Sequence, residues 1–437
     1  MTGRTSNGLS RRSYMKLAGL ASAGMAGLAG CTGGDGNGGG GDGGNGGGSN
    51  QLEIVHWWTA GGEKEALDAL LEGFQQRHGD VEINNNPAPG GAGSALDTVI
   101  KNRVLNENPP STFQIWPGKA LAPYTSSDVL EDVSDVWNDD MRNAYRESVQ
   151  NAAQPAGTLV SVPINIHRLN NVFYNVSVLE QAGVDPSGLN DPQAMADALD
   201  AVATETDAAP LAHSTQDPWP TLQLWETEFI ARNGVGAFDD FAAGNVQQHE
   251  GAIRESLQAV AGYREYFNGD AGSISWDQAN TKIVEGDAAF IHQGDWAAGQ
   301  YEASEGFEFE SDWNYAPYPG TDGVYSMVMD SFVFPKNNPS PDATRKFLSY
   351  CGTADAQRRF NPVKGSIPPR TDVSGEEFGP FLTRQIEQFK ASDSQPLTIA
   401  HGSAVTPEVK SNMEEAFAGF NENWNVDRAY EGINSAF

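Results

Sequence analysis

QLEIVHWWTAGGEKEALDALLEGFQQRHGDVEI, residues 51–83, carries the plainest fold signal in the chain. Leu52, Ile54 and His56 alternate, the pattern of a strand. Leu67, Leu70, Leu71 and Phe74 follow at i, i+3, i+4 and i+7, one face of an amphipathic helix. Val81-Glu82-Ile83 is a second strand. Working outward, Leu96, Val99, Ile100 and Val104 predict another helix, and Thr112–Trp116 another strand. Strand–helix–strand alternation points to a parallel sheet flanked by helices, an α/β protein. The theme continues less regularly. Leu159–Ile166, Asn171–Phe173 and Ala288–Ile291 read as extended. Gln181–Gly183 and Ile283–Gly286 end helices. Arg345–Cys351 is helical, and Pro407–Phe420 starts a helix with Pro just inside it. No internal repeat and no long Pro/Ser linker breaks residues 51–437, so the lobes are expected to interlock.

The segment before residue 51 reads as an address. Residues 1–30 carry Arg4, Arg11, Arg12 and Lys16 and no acidic residue. Ser10-Arg11-Arg12-Ser13-Tyr14-Met15-Lys16 runs into a short Ala/Gly-rich apolar stretch, the layout of a signal peptide. The paired arginines resemble a twin-arginine export signal. Leu28-Ala29-Gly30-Cys31 resembles a lipobox, which makes Cys31 the expected lipidation site. Residues 31–50 then read as the lipidated Cys and a Gly-rich flexible tether. Its span is roughly 25 Å by random-coil scaling. Cys351 is left as a lone thiol expected in a core.

The charge narrows function. Lys+Arg total 27 against 58 Asp+Glu, a net −31 over 437 residues, and loss of the basic leader takes it to −35. Phosphates of a nucleic acid would be repelled, so no nucleic-acid partner is expected. Only ten of the basic residues are Lys. So acidic a chain repels itself in dilute salt, while molar salt screens that repulsion. A protein working in brine is expected, with an ordinary acidic secreted protein as the alternative.

The ten tryptophans need a reason. Trp57-Trp58 precede Thr59-Ala60-Gly61-Gly62, Trp116 precedes Pro117-Gly118, Trp276 sits beside Asp277, and Trp296 follows Gly294-Asp295. Indoles at strand ends and loop starts suit a cleft, and a flat ring stacks on the C–H face of a pyranose. Carboxylates, amides and Lys then satisfy the sugar hydroxyls. The alternative for each Trp is ordinary core.

These blocks carry a family likeness. Residues 51–437 resemble the extracellular solute-binding proteins of ABC-type sugar importers, most closely the monosaccharide (glucose/mannose-type) branch, with a haloarchaeal composition. The likeness rests on His56-Trp57-Trp58…Gly62-Glu63, Phe113-Gln114-Ile115-Trp116, and Val162-Pro163-Ile164-Asn165-Ile166-His167-Arg168. It extends to Gly286-Asp287-Ala288-Ala289-Phe290…Gly294-Asp295-Trp296, Asp330-Ser331-Phe332…Pro335-Lys336, Asn361-Pro362-Val363-Lys364-Gly365-Ser366-Ile367 and His401-Gly402. It implies the two-lobed, type II periplasmic-binding-protein-like fold, with the ligand cleft between lobes joined by several chain crossings. The expected division is 51–162 plus 333–364 for lobe 1, and 163–332 plus 365–437 for lobe 2.

The likeness also implies the ligand-binding set. Glu63 would accept from sugar hydroxyls beside Trp57 or Trp58, and Gln114 would add a polar contact. Trp116 stands where close relatives can carry His. Asn165 and His167 lie near the first crossing and Asp330 at a later one. Asp295 belongs to the same set as Trp296, and Trp276 and Trp296 would stack from the second lobe. Lys364 and His401 would close the ring. Structural alternatives remain at this stage: a solvated lysine after a turn, satisfied histidines, a capping or hinge Asp330, and an Asn165 that serves backbone.

Function follows as an expectation. A monosaccharide, glucose first and then other aldohexoses, would be captured by lobe closure. A lipid-anchored monomer on the outer face of the cytoplasmic membrane would deliver it to an ABC permease with a separate ATPase. No catalysis, cofactor or metal is expected: no Gly-x-Ser-x-Gly, His-Glu-x-x-His or phosphate loop appears. A secreted glycoside hydrolase and a surface lectin or sensor are the rival classes. Asn175-Val176-Ser177 fits a glycosylation acceptor.

Overall fold

The computed structural model describes residues 50–59, 61–88 and 94–437. The expected export signal, the expected lipidation site Cys31 and all of the expected tether but residue 50 lie outside the described residues.

Eleven strands are described: β1 (Gln51–His56), β2 (Glu82–Pro87), β3 (Thr112–Ile115), β4 (Ser161–Pro163), β5 (His167–Arg168), β6 (Asn171–Asn175), β7 (Ala209–Ala212), β8 (Ala288–Gln293), β9 (Trp313–Pro317), β10 (Met327–Val328) and β11 (Ser331–Val333). One sheet has the order β2-β1-β3-β11-β4, and another β7-β8-β6-β9. In the first, β1 pairs parallel to β2 and β3, whereas β11 runs antiparallel to β3 and β4. In the second, β7 and β8 are parallel, and β6 is antiparallel to β8 and β9. A small antiparallel pair, β5 with β10, lies between them in sequence.

The opening stretch folds as its periodicity predicts. The helix Gly61–Arg77 buries Leu67, Leu70, Leu71 and Phe74 against Leu52 and Ile54 of β1. Each such side chain contributes about 1.5–3 kcal/mol by leaving water. Val55 turns to the opposite face, where it meets Ile100, Phe113 and Leu121. A parallel strand covered on both faces is apolar on both. The edge strand β2 instead carries exposed Asn84–Asn86 and ends in Pro87, which blunts the edge.

Helix stops coincide with glycines that take positive φ. Gly183, Gly286 and Gly365 sit at +67°, +75° and +73° directly after the helices Val176–Ala182, Trp276–Glu285 and Ala354–Lys364. The helix Pro407–Asn423 begins with Pro just inside a Thr406 cap. Cys351 is fully buried, and burial pushes its thiol well above the usual range. The extended stretch expected over 159–166 is regular strand only at Ser161–Pro163. Asn175 caps the helix Val176–Ala182: its Oδ1 accepts from Val178 N–H and its Nδ2 donates to Ile283 O at 2.9 Å. The nitrogen a glycan would need is therefore buried and committed.

The chain passes between the two sheets after β4 and again between β9 and β11. It returns a third time near residue 367, where Ile367 pairs with Ile166. Asn165, His167, Asp330 and Lys364 all stand at or beside these passages.

Candidate functional site

At the first passage, polar side chains link into a chain. The Lys364 ammonium stands 3.2 Å from Glu63 Oε1 and 3.2 Å from His167 Nε2. His167 Nδ1 lies 2.6 Å from Asp295 Oδ1, and Asp295 Oδ2 accepts from Arg168 N–H at 3.0 Å. An ammonium has only donors, so Nε2 accepts from it and the proton of the ring is assigned to Nδ1, facing Asp295. Lys364 is the last residue of its helix, where a cation suits the helix dipole. Glu63 occupies the first turn of the helix Gly61–Arg77, the favourable end for an anion. Gly62 brings the two helices together: a Cβ there would meet Val363 O at 2.7 Å.

A second set holds the passages in register. Asp330 is 5% exposed, and its carboxylate accepts from Gln114 Nε2 at 2.9 Å and Asn165 Nδ2 at 2.8 Å. Asn165 Oδ1 accepts in turn from Asp330 N–H. Gln114 Oε1 accepts from Trp57 N–H at 3.1 Å. Gln114, Asn165 and Asp295 are fully buried. These polar atoms are spent on the protein itself, so the four residues act as struts that aim their neighbours.

The aromatic rings gather around His401. Trp116, Trp219 and Trp296 lie 6.0, 5.9 and 5.3 Å from its ring. Trp57 meets Trp116 edge-on at 5.5 Å, Trp276 meets Trp219 at 6.4 Å, and Trp296 meets His167 at 5.7 Å. The five tryptophans and His401 are half-buried. Trp57 and Trp116 follow strands of the first sheet, while Trp219, Trp276 and Trp296 come from segments around the second. Gly294 makes room for the Trp296 indole, whose ring atoms would stand 2.3–2.5 Å from a Cβ there. Burial, with Lys410 and His167 nearby, holds the His401 pKa down at about 3.

Trp58 has a different place. It is 1% exposed, packed on Phe332 and Phe360 in the first core, and belongs to that core rather than to the aromatic cluster. Successive residues leave a strand end on opposite sides, and only Trp57 turns toward the cluster. Trp219 is the member that sequence reasoning missed. Its signal is faint, a Trp between Pro218 and Pro220 opening the helix Trp219–Ala242.

Half-buried indole faces beside a string of fixed donors and acceptors can hold a neutral, hydroxylated ring. Along the string Glu63 is paired with the Lys364 ammonium, and Asp295 with His167 Nδ1 and the Arg168 N–H. The carboxylates each already accept from a cation, an amide or a ring N–H.

Comparison with known proteins agrees with this architecture. The profile of the family described as bacterial extracellular solute-binding protein matches residues 60–358, more than half of the chain. A xylose/arabinose-binding protein of Haloferax volcanii is 36% identical over 393 residues, covering 89% of this chain and 84% of that protein. An uncharacterized ABC transporter extracellular-binding protein of Pyrococcus horikoshii is 35% identical over 390 residues, with 88% and 87% covered. Among solved structures, the bacterial solute receptor AcbH, described as preferring β-D-galactopyranose, superposes with a TM-score of 0.74 at 17% identity. The match covers 88% of this chain and 97% of that one. At that identity the likeness shows the fold alone, a two-lobed solute-binding architecture.

Proposed function

The chain belongs to the bacterial extracellular solute-binding protein family, and we propose that it captures a neutral monosaccharide for an ABC importer. The observation that carries this is the aromatic cluster around His401, set beside the Glu63–Lys364–His167–Asp295 chain. Trp57, Trp116, Trp219, Trp276 and Trp296 offer faces for sugar C–H groups. Glu63, Lys364 and His167 serve the hydroxyls, and Gln114, Asn165, Asp295 and Asp330 hold those groups in place.

Each lobe carries part of the set, so ligand contacts are complete only when the lobes are together, and sugar shifts the population toward that state. The loaded protein would then dock on a membrane permease driven by a separate ATPase. Export by the twin-arginine route, a lipid on Cys31, a monomeric state and a saline working environment complete the proposal from the sequence. Glucose or a related aldohexose is the first ligand. A pentose is the second, favoured by the similarity to the xylose/arabinose-binding protein over most of both chains.

Calorimetric titration with glucose, galactose, xylose and arabinose in high salt tests the reading. Reversible binding of one sugar without product is expected. Trp296→Ala should weaken it by about 2 kcal/mol, roughly thirtyfold, the scale of a buried aromatic contact. Its melting temperature should hold, because the side chain is half-buried. Conversion of the sugar would favour a hydrolase, and unchanged affinity in the variant would remove Trp296 from the site.

A further inference from the structure

Three residues beyond Trp116 in sequence, the first lobe takes hold of the second. Leu121 anchors the short turn Gly118–Leu121 in the core of the first sheet, beside Val55 and Phe113. The loop around Ser403 belongs to the other side, where Ile399, Ala400 and Val405 pack with Trp225 and Phe417. Lys119 N–H donates to Ser403 O at 2.8 Å. The Lys119 ammonium donates to Ala242 O at 3.0 Å. Ala242 is the last residue of the helix Trp219–Ala242, so the lysine satisfies one of its otherwise free terminal carbonyls at the favourable end of the dipole. A break at Gly234, whose φ is +81°, separates this segment from the stretch that opens with Trp219.

Gly118 permits this approach. Its φ is +85°, and a Cβ would stand 2.4 Å from Ser403 O. Any larger residue would push the two bodies apart. His401, two residues before Ser403, is the hub of the aromatic cluster, and Trp116, two residues before Gly118, touches it. The contact thus ties the two sides at the rim of the candidate site while Lys119 itself remains exposed.

We propose that Gly118-Lys119 is a latch between the lobes that sets the residence time of the bound sugar. Lys119 is a positioning residue: its two bonds exist only when the lobes are together, so they add to the closed population without contacting ligand. Asp239 is the charged neighbour of the ammonium. The hydrogen bond to Ala242 is local, so high salt weakens the charge component and leaves the bond. The sugar readout rests on the proposed function, whereas the lobe separation does not.

The test uses the full chain with Cys31→Ser, labelled at Glu72→Cys on the first lobe and Gln181→Cys on the second. The native Cys351 thiol is buried and stays unlabelled. Energy transfer reports lobe separation with and without sugar, and stopped-flow mixing reports sugar release. Lys119→Met should lower the high-transfer population and speed release about three- to tenfold, the range for loss of one partly exposed hydrogen bond. Association and melting temperature should stay unchanged, and Lys119→Arg, which keeps a donor, should restore most of the effect. Gly118→Ala should separate the labels further.

Unchanged transfer and unchanged release in Lys119→Met would overturn the latch. A fall in melting temperature matching the change in release would make Lys119 merely structural and overturn it as well. If the unsubstituted protein binds none of the four sugars while Lys119→Met still separates the labels, the latch stands and the sugar reading falls.

Discussion

Glu226 shows how one buried side chain ties site geometry to pH. It lies in the helix that opens with Trp219, and its Oε2 accepts from the N–H groups of Ile399 at 2.7 Å and Ala400 at 3.4 Å. It therefore fixes the backbone just before His401. Burial pushes its pKa up to about 8, although the two backbone donors pull it the other way. The folded state holds a proton that the unfolded chain releases near 4.5, so this stability is complete below about pH 4.5 and is lost as pH rises through 8. Its size is on the order of a few kcal/mol. His213, His292 and His401, all held near 3 mainly by burial, act in the opposite sense. Their contribution is present above about 6.5 and is lost as pH falls toward 3. The two effects oppose from about 4.5 to about 7.5, because the imidazoles of the unfolded chain still hold part of their protons above 6.5. The melting temperature of the natural protein should therefore fall relative to that of Glu226→Gln as pH rises from 6.5 to 8. An equal decline in both proteins would show that Glu226 is not the group responsible.

Among elements, the helix Ala354–Lys364 separates what folding needs from what the site needs. Thr353 caps it, its Oγ1 accepting from Ala356 N–H, while Lys364 ends it beside Glu63 and His167. Thr353→Ala should cost about 1 kcal/mol, a melting shift of roughly one to two degrees for a chain of this size. Sugar affinity should change by less than about twofold, because Lys364 is held by its own partners at the far end. A large loss of affinity would mean that the cap governs the site. Read from the sequence, this helix is only a motif around Lys364, whereas the stops at Gly183 and Gly286, the strand β1, the helix Gly61–Arg77 and the Pro-started helix after Thr406 follow from local period and capping chemistry. The struts Gln114, Asn165 and Asp330 were legible as polar residues in a motif, but their mutual bonds span up to 216 positions. No local pattern encodes such a pairing. Alternation carried past β1 does place Trp58 on the face of Leu52 and Ile54 and Trp57 on the other, the parity the structure shows. Trp219 escaped because a Trp that starts a helix reads the same whether it packs inward or lines a cleft.

Across the whole molecule, 58 carboxylates face 27 cations, while each carboxylate of the candidate site is engaged: Glu63 by Lys364, Asp295 by His167 and the Arg168 N–H, and Asp330 by Gln114 and Asn165. Much of the excess lies on surface positions such as Glu72, Asp139 and Glu431, which are exposed. Exposed charges interact through water, and the Debye length shortens from about 10 Å at 0.1 M salt to about 3 Å at 1 M. Repulsion between them should consequently destabilise the folded state in dilute buffer and fade in brine. Buried contacts such as Asp330 with Asn165 and Gln114 are shielded from that change. Melting temperature should climb steeply between 0.1 and 1 M potassium chloride. Sugar affinity, measured at each salt well below the melting point, should change far less because a sugar is neutral and the site carboxylates are already engaged by protein donors. The two curves must separate. A melting temperature flat across that range would contradict a surface adapted to brine. An affinity that tracked salt as steeply as stability would place the excess acidity inside the site and point to an ionic ligand.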